Sequence, residues 1–442
     1  MATPLLDQPH SDSNSHGNDA RGNRDAHGVP HNIGSHGVPH GMGDNTIHPI
    51  GITATYPIAP NADSPTHISS RWWITSLPDR SRAFAYITPN WFASIMGTGI
   101  VANAAVALPI QVPGLHTFAL VMWLVTCVLF VTLLGATAAH WVTHRATASS
   151  HLFHPVMAHF YGTMPMAFLT VGAGTLNLGK DILGVNLAVK IHATLWVVGT
   201  LLGVFFTVAV PALQFMRHSF RLEDAFPGWL LTLVSLMVSS STGAMLLPYV
   251  PVGEPRQTLM YACYAMFGVS ALASLCVLPV LWAKLALRGV GPAAQVPTLW
   301  LVLGPLGQSV TAVNLLGTHA GSTVDADSAK ALEMFGIIYG VPVIGFAGLW
   351  MAIAAVITMR TIRNGMPFSL TWWGFTFPVG TVATGLSGLA LHTDLTIFAV
   401  CAVLVFIMLV CFWAVVAVRS FRASFVTGAL FTAPPTVAAP AA

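Results

Sequence analysis

Charge is what this chain has least of. Of its 442 residues only 7% are Asp, Glu, Lys or Arg, while 55% are hydrophobic, and the mean hydropathy is +0.71. Soluble domains carry about 25% charged residues. A chain this long with so few charges cannot clothe a water-facing surface, so a soluble fold is excluded and a polytopic membrane protein in contact with lipid is expected. Cysteine is scarce as well. Cys127, Cys263, Cys276, Cys401 and Cys411 all fall inside apolar runs, where they read as small hydrophobes, not as disulfides or metal ligands. An apolar leader is lacking too: roughly the first 80 residues are polar. The formal net charge of +3 says little by itself, and no nucleic-acid partner is expected.

Residues 1–85 are rich in His, Gly, Asn, Ser, Pro and Asp. Such a segment buries too little apolar surface to offset chain entropy and is expected to be disordered. The pentapeptide HGVPH occurs at His27–His31 and again at His36–His40. Neutral imidazoles bind zinc, copper or nickel, but a low-complexity tail reads the same way. Residues 426–442, ending TAPPTVAAPAA, make a second short disordered tail. Between them, 86–425 form the membrane domain.

In that domain, apolar runs of about 17 to 26 residues alternate with short polar loops, each run long enough to span the hydrocarbon core. Ten spans are expected, at 92–108, 114–139, 156–177, 191–213, 228–247, 258–283, 300–317, 334–358, 368–391 and 395–418. Fourteen of the 18 basic residues then fall on one side of the membrane and Lys180, Lys190, Arg256 and Lys330 on the other. By the positive-inside rule both termini are cytoplasmic.

The spans differ by parity. Odd spans hold 14 Gly and 19 Ser or Thr in 101 residues; even spans hold 9 and 12 in 124. Small residues permit close helix approach, and hydroxyls facing a polar lumen avoid lipid. Packing alone would account for the Gly, but poorly for the SSST run at Ser239–Thr242. Five helical hairpins with odd helices inside and even helices outside account for both. Pro165, Pro305 and Pro378 lie in odd spans, where a freed carbonyl needs a partner from protein or water.

No Asp, Glu, Lys or Arg falls well inside any span, which removes a carboxylate relay and an acidic, cation-selecting ring. A neutral lumen of hydroxyls and amides remains, with Asn103, Asn177, Gln308 and Asn314 as its amides. Histidine is the other candidate for chemistry. His140, His144, His151 and His154 cluster after the second span in what reads as a loop, and a metal site there competes with plain solvation. Haem ligation would need facing mid-span histidines, and only His159 comes near that. His159, His319 and His392 sit at ends of odd spans, where an anion vestibule would lie.

Three stretches carry a family resemblance: NWFASIMGTGIV in span one, HFYGTMPMAFLTVGAGTLNL in span three and WWGFTFPVGT in span nine. Over about residues 85–425 the chain resembles the tellurite-resistance/dicarboxylate transporters, which include malic acid transporters, sulfite pumps and slow anion channels. The resemblance implies an all-α fold of ten helices in five hairpins around a central pore. It also implies a homotrimer with one pore per subunit in the plasma membrane, no cofactor, and movement of small anions such as C4-dicarboxylate, tellurite, sulfite, chloride or nitrate. It further implies an aromatic plug on the ninth helix, matched by Phe377 or, one register away, Phe375, beside Pro378; a bulky apolar ring there would gate by dewetting. Gly97, Thr98, Gly99, Asn103, Thr163, Pro165, Ser239, Ser240, Gln308, Asn314 and Thr381 are the candidate pore-lining residues. Proton-coupled dicarboxylate uptake or sulfite efflux is the alternative to a passive pore. A histidine-dependent membrane redox protein is the alternative from outside transport, and no enzyme activity is expected.

Overall fold

The structure, a computed structural model, describes residues 84–431; the HGVPH repeat lies outside the described residues. Within them every regular element is helical. Ten helices of twelve or more residues follow in chain order: α1 (Phe92–Ala107), α2 (Leu115–Thr143), α3 (Thr163–Gly174), α4 (Val185–Arg217), α5 (Leu230–Ala244), α6 (Glu254–Arg288), α7 (Leu303–Ala320), α8 (Ala326–Arg363), α9 (Phe377–Thr393) and α10 (Thr396–Phe421). Seven segments are long and apolar enough to cross a membrane: the five even helices, the last extended to Val426, together with Ala293–Ala320 and Leu370–Thr393. The protein is thus an all-helical membrane protein.

Parity sorts the helices by burial. In the even helices 17–28% of the most apolar window is buried, against 89% and 83% for the segments containing α7 and α9. The even helices present Leu, Val, Ile and Phe outward, as lipid requires. The odd ones touch in sequence: α1 packs on α3, α3 on α5, α5 on α7, α7 on α9, and α9 returns to α1. That closes a ring of five. Each ring helix also packs against the even helix that follows it, so the chain is a series of hairpins with the small-residue member inside.

Glycine sets the spacing within the ring. A Cβ on Gly307 of α7 would lie 2.5 Å from backbone atoms of Thr381 and Val382 in α9, and one on Gly162 would lie 2.6 Å from the Thr232 nitrogen. No side chain fits there.

Each ring helix is led by a 3-10 run: Pro89–Trp91, Met157–Gly162, Pro227–Trp229, Ala293–Val302 and Leu370–Phe375. Pro165, Pro305 and Pro378 all fall within the first three residues of their α-helices, directly after these runs. They therefore mark the change from 3-10 to α winding near the helix start, where a missing N–H costs least, and not a kink at the middle of a span. α3 ends in a π turn, Thr175–Gly179. Packing against the ring continues past residue 425: the Phe431 ring stacks on Trp91 with centroids 5.5 Å apart.

Candidate functional site

Inside the ring the C-terminal halves of the five helices part around a cavity of about 420 Å3. Asn103 of α1, Thr170 of α3, Asn177 of the π turn, Ser241 and Thr242 of α5, Gln308, Thr311, Asn314 and Thr318 of α7, and Thr384 and Ser387 of α9 supply its polar lining. Phe377, the first residue of α9, and Ile100 of α1 lie deepest. Among the described residues, no Asp, Glu, Lys or Arg lines it. Toward the helix starts the ring interior is filled: Ile95, Met96 and Met166 are 1% exposed or less. The lining runs instead to the C-terminal ends of the ring helices, at Leu108, Met245 and Leu391, and that end is taken as its mouth.

Its polar groups divide by what their protons do. The hydroxyls of Ser241 and Thr242 both donate to the Val238 carbonyl, at 3.0 and 2.7 Å. Ser387 donates to Ala383 at 2.9 Å and Thr384 to Thr381 at 3.0 Å, while Thr311 lies 3.1 Å from the Gly307 carbonyl and 2.7 Å from the Thr384 hydroxyl. Back-bonding of this kind is the habit of hydroxyls inside helices. It leaves oxygen lone pairs, not O–H groups, toward the lumen.

The amides are the donors. Asn103 uses its NH2 on the carbonyls of Gly99 (3.1 Å) and Thr170 (3.2 Å), which ties α1 to α3. Its Oδ1 accepts from Asn177 Nδ2 at 3.2 Å. Asn177 therefore keeps a second N–H for the lumen, as does Gln308, whose Nε2 donates to the Ser241 hydroxyl. The π turn is what aims Asn177 inward: one extra residue per turn rotates the chain after Gly174 relative to an ideal helix.

Of the residues singled out from the sequence, Asn103, Asn177, Gln308, Asn314 and Phe377 meet at this cavity. The others lie elsewhere. Thr98 accepts from the Trp413 indole at 3.2 Å and so faces α10. Gly97 packs on Trp373 and Thr376, and Gly99 on Thr170 and Thr126, where a Cβ would come within 3.0 Å. Thr163 donates to the Phe160 carbonyl at 2.7 Å and reaches Pro89 at 3.0 Å. Thr381 donates to Pro378 at 2.7 Å and touches the Leu303 carbonyl. Ser239 back-bonds to Ser235 at 3.2 Å, and Ser240 is fully buried away from the lining. Pro165 and Pro378 are buried in their helices off the lining.

Phe375 stands apart from Phe377. It sits in an aromatic cluster, 5.6 Å from Trp300, 5.7 Å from Trp372 and 5.6 Å from Phe412 between centroids. Thr170, Thr311, Thr318, Thr384 and Ser387 are lining residues the sequence did not single out, and Ser241 and Thr242 entered only as part of the SSST run. Part of their signal was i, i+3 spacing along one helix, Gln308, Thr311 and Asn314 in α7 and Thr384 and Ser387 in α9, which a composition count discards.

Among the described residues no histidine lines the cavity. His140 closes α2, buried, with Nδ1 2.7 Å from the Phe84 carbonyl. His151 lies on a short helix, Arg145–Phe153, and not in a loop; its ring centroid is 5.7 Å from that of His140. Burial first, then the His140 and His154 charges, push the His151 pKa down to about 4. His159 is 4% exposed beside Phe226, 5.6 Å between centroids, at the closed end. Among the described residues no three His, Cys, Asp or Glu side chains gather closely enough to hold a metal ion.

Residues 86–421 match the sequence pattern of a family described as voltage-dependent anion channel. Individual relatives agree in kind. A sulfite efflux pump of Arthroderma otae is 27% identical over 340 residues, 76% of this chain and 90% of the relative. An uncharacterized transporter of Methanocaldococcus jannaschii is 27% identical over 294 residues, 66% of this chain and 80% of the relative. A putative malic acid transport protein of Schizosaccharomyces pombe is 20% identical over 304 residues, covering 66% and 69%.

Proposed function

The chain belongs to the voltage-dependent anion channel family, a family of transporters and channels and not of enzymes, and from that premise we propose that it carries small anions through the centre of its own five-helix ring. The observation that carries the reading is the neutral cavity of about 420 Å3, lined by hydroxyls and amides and floored by Phe377. It has room for an inorganic oxyanion or a C4-dicarboxylate, and it presents no carboxylate to repel one. Phe377 is the gate: a buried ring, 2% exposed, separates the open cavity from the filled half of the ring. A constriction of that kind blocks ions by excluding water.

In this reading α1, α3 and α5, shorter than the other helices, span the membrane together with their 3-10 leaders, which brings the spans to ten. The basic residues place both termini in the cytoplasm, and the cavity opens on the opposite face. Sulfite and malate head the substrate list because relatives carry those names. The subunit acts in a homotrimer, each copy with its own path, since the ring closes within one chain. Native mass spectrometry in detergent micelles tests the trimer.

The function is tested by flux into proteoliposomes loaded with an anion reporter, ranking chloride, sulfite and malate against empty vesicles. A rank order of anions with no cation flux is expected. Cation flux equal to anion flux would overturn the reading.

A further inference from the structure

At the open end of the cavity, one histidine is held in a way that fixes where its protons are. His392, in the last turn of α9, has Nδ1 2.6 Å from Asn314 Oδ1 and Nε2 3.0 Å from Thr318 Oγ1. Asn314 and Thr318 both line the cavity. The orientation of the Asn314 amide is not free, because its Nδ2 donates to the Val310 carbonyl at 2.8 Å. A flipped amide would set two oxygens against each other there. Oδ1 therefore faces His392, and Nδ1 must carry a hydrogen.

The other ring nitrogen meets a hydroxyl whose single proton is already spoken for. Thr318 Oγ1 lies 2.9 Å from the Asn314 carbonyl, which can only accept. If the hydroxyl donates there, its oxygen can only accept from His392, so Nε2 needs a hydrogen too. The imidazolium satisfies all four contacts at once. The neutral ring makes Thr318 choose between the Asn314 carbonyl and Nε2, and one contact is lost.

The surroundings act on that cation in both directions: burial of the ring opposes it and the Glu333 carboxylate favours it. Glu333 of α8 is within electrostatic reach of His392, and its backbone packs over Gly317, next to Thr318, where an added Cβ would be 3.1 Å away. The other titratable groups at this end of the ring helices include Lys330, one turn before Glu333 on α8, Asp325 and Asp327 at the start of α8, His319 on α7, Asp394, the C-cap of α9, Arg256 of α6, and Lys180, Asp181 and His116 beside the π turn. The parts of α1 and α10 packed here bring no His or charged side chain. The cavity lining itself has none, so an imidazolium one side chain behind its wall sets a positive charge beside Asn314 and Thr318, which an entering anion passes.

We propose that His392 is the proton site of the anion cavity, and that its imidazolium form, held by Asn314 and Thr318, is the cationic subsite that draws an anion in at the open end. This rests on the anion-transport reading above. Proton and anion then bind together: each favours the other by the same factor. Notably, the proton site is His392, at the open end, and not His159, at the filled one.

The test is chloride flux in proteoliposomes at matched internal and external pH, stepped from 7.5 to 5.5. Chloride does not titrate in that range, so any pH dependence belongs to the protein. An ordinary histidine goes from about one-tenth to about nine-tenths protonated over these two units. Wild-type flux is therefore expected to rise about fivefold or more. His392→Gln keeps a side chain that reaches both partners but cannot gain a charge, and is expected to flatten the profile. Glu333→Gln removes the nearby carboxylate and is expected to move the midpoint to lower pH, which also serves as the readout if His392→Gln is not recovered folded. A wild-type flux that ignores pH, or a His392→Gln profile matching the wild type, overturns the proposal and leaves anion transport standing. Absence of any anion flux at every pH overturns the transport reading and this one with it.

Discussion

Removing the Phe377 ring should open the path, and removing its neighbour Phe375 should not. The two residues are two positions apart, both almost fully buried at 2% and 5% exposure, so burial does not separate them. Contacts do. Phe377 borders the cavity, whereas Phe375 is fixed among Trp300, Trp372 and Phe412. A buried Phe→Ala change costs about 3–5 kcal/mol in stability. Phe377→Ala belongs at the low end, near about 3 kcal/mol, since the space it leaves merges with an existing cavity. Phe375→Ala belongs at the high end, because it also forfeits edge-to-face contacts of about 0.5–1.5 kcal/mol each. Flux runs the other way. If the ring adds even about 1.4 kcal/mol to the barrier, its loss raises the rate about tenfold. Ile100 is the remaining obstruction, since its side chain packs on Gly380 one turn beyond the gate, so Ile100→Ala added to Phe377→Ala should raise flux again. The assay is anion flux per folded protein in proteoliposomes, with thermal stability in detergent read in parallel. Unchanged flux in a stably folded Phe377→Ala protein would refute the gate, and a leak in Phe375→Ala as large as in Phe377→Ala would refute the assignment between the two.

Further expectations follow from the same geometry. Asn177→Leu removes a lumen-facing donor and should reduce anion flux a few-fold with little loss of stability, whereas Asn103→Leu breaks the bonds from α1 to the Thr170 carbonyl and to Asn177 and should lower the melting temperature; size-exclusion and flux on the same samples separate the two. Gly307→Ala forces a methyl into the α9 backbone, and overpacking of about 1–3 kcal/mol or more should show as a lower melting temperature in detergent. For His151 the folded pKa is pushed down to about 4 by burial and by His140 and His154, against about 6.5 in an unfolded chain. The unfolded form thus takes up a proton first as pH falls. Docking of the 145–153 helix is strongest above pH 6.5 and weakens progressively from there to about 4. Backbone hydrogen exchange in 145–153, corrected for its intrinsic pH dependence, should therefore show less protection at pH 5 than at 7.5, and His151→Leu should abolish that difference.

Much of the fold was legible because membrane solvent leaves a plain mark on composition. Lipid-facing even helices must be apolar nearly all round, and Thr396–Phe421 is almost nothing else; ring helices must let backbones approach, and Gly162 and Gly307 do so. What composition could not show is which side of a ring helix faces the lumen. In α1, Thr98 and Asn103 are equally polar, yet the first points to Trp413 and the second to the cavity. Five residues at 100° each place them 140° apart around the helix. In α5, Ser239 and Ser240 face neighbouring helices while Ser241 and Thr242, next in sequence, reach the cavity. No pattern in a run of four hydroxylated residues tells these apart. The extra residue of the Thr175–Gly179 π turn carried no sequence signal that was read, and it changes which face Asn177 presents.

The hydroxyl count itself misleads about affinity. A lumen rich in Ser and Thr sounds welcoming to an anion, yet Ser241, Thr242, Thr384 and Ser387 all spend their protons on helix carbonyls. An anion that enters meets lone pairs and must turn each hydroxyl away from its carbonyl, at about 1 kcal/mol per exchanged bond. The exchange is nearly balanced: one hydrogen bond is given up as another is made. Binding along the cavity wall is therefore weak by construction, which is what passage requires, since an anion that is held firmly does not leave. The price is poor capture at the open end, where nothing neutral outcompetes water for a charged solute. A cation that exists only while a proton is bound, two hydrogen bonds behind that wall at His392, supplies capture without leaving a permanent trap. The absence of fixed charge in the lining and the satisfied imidazolium at its rim are two halves of one solution: a path kept shallow along its length and deepened at its mouth only when pH calls for it.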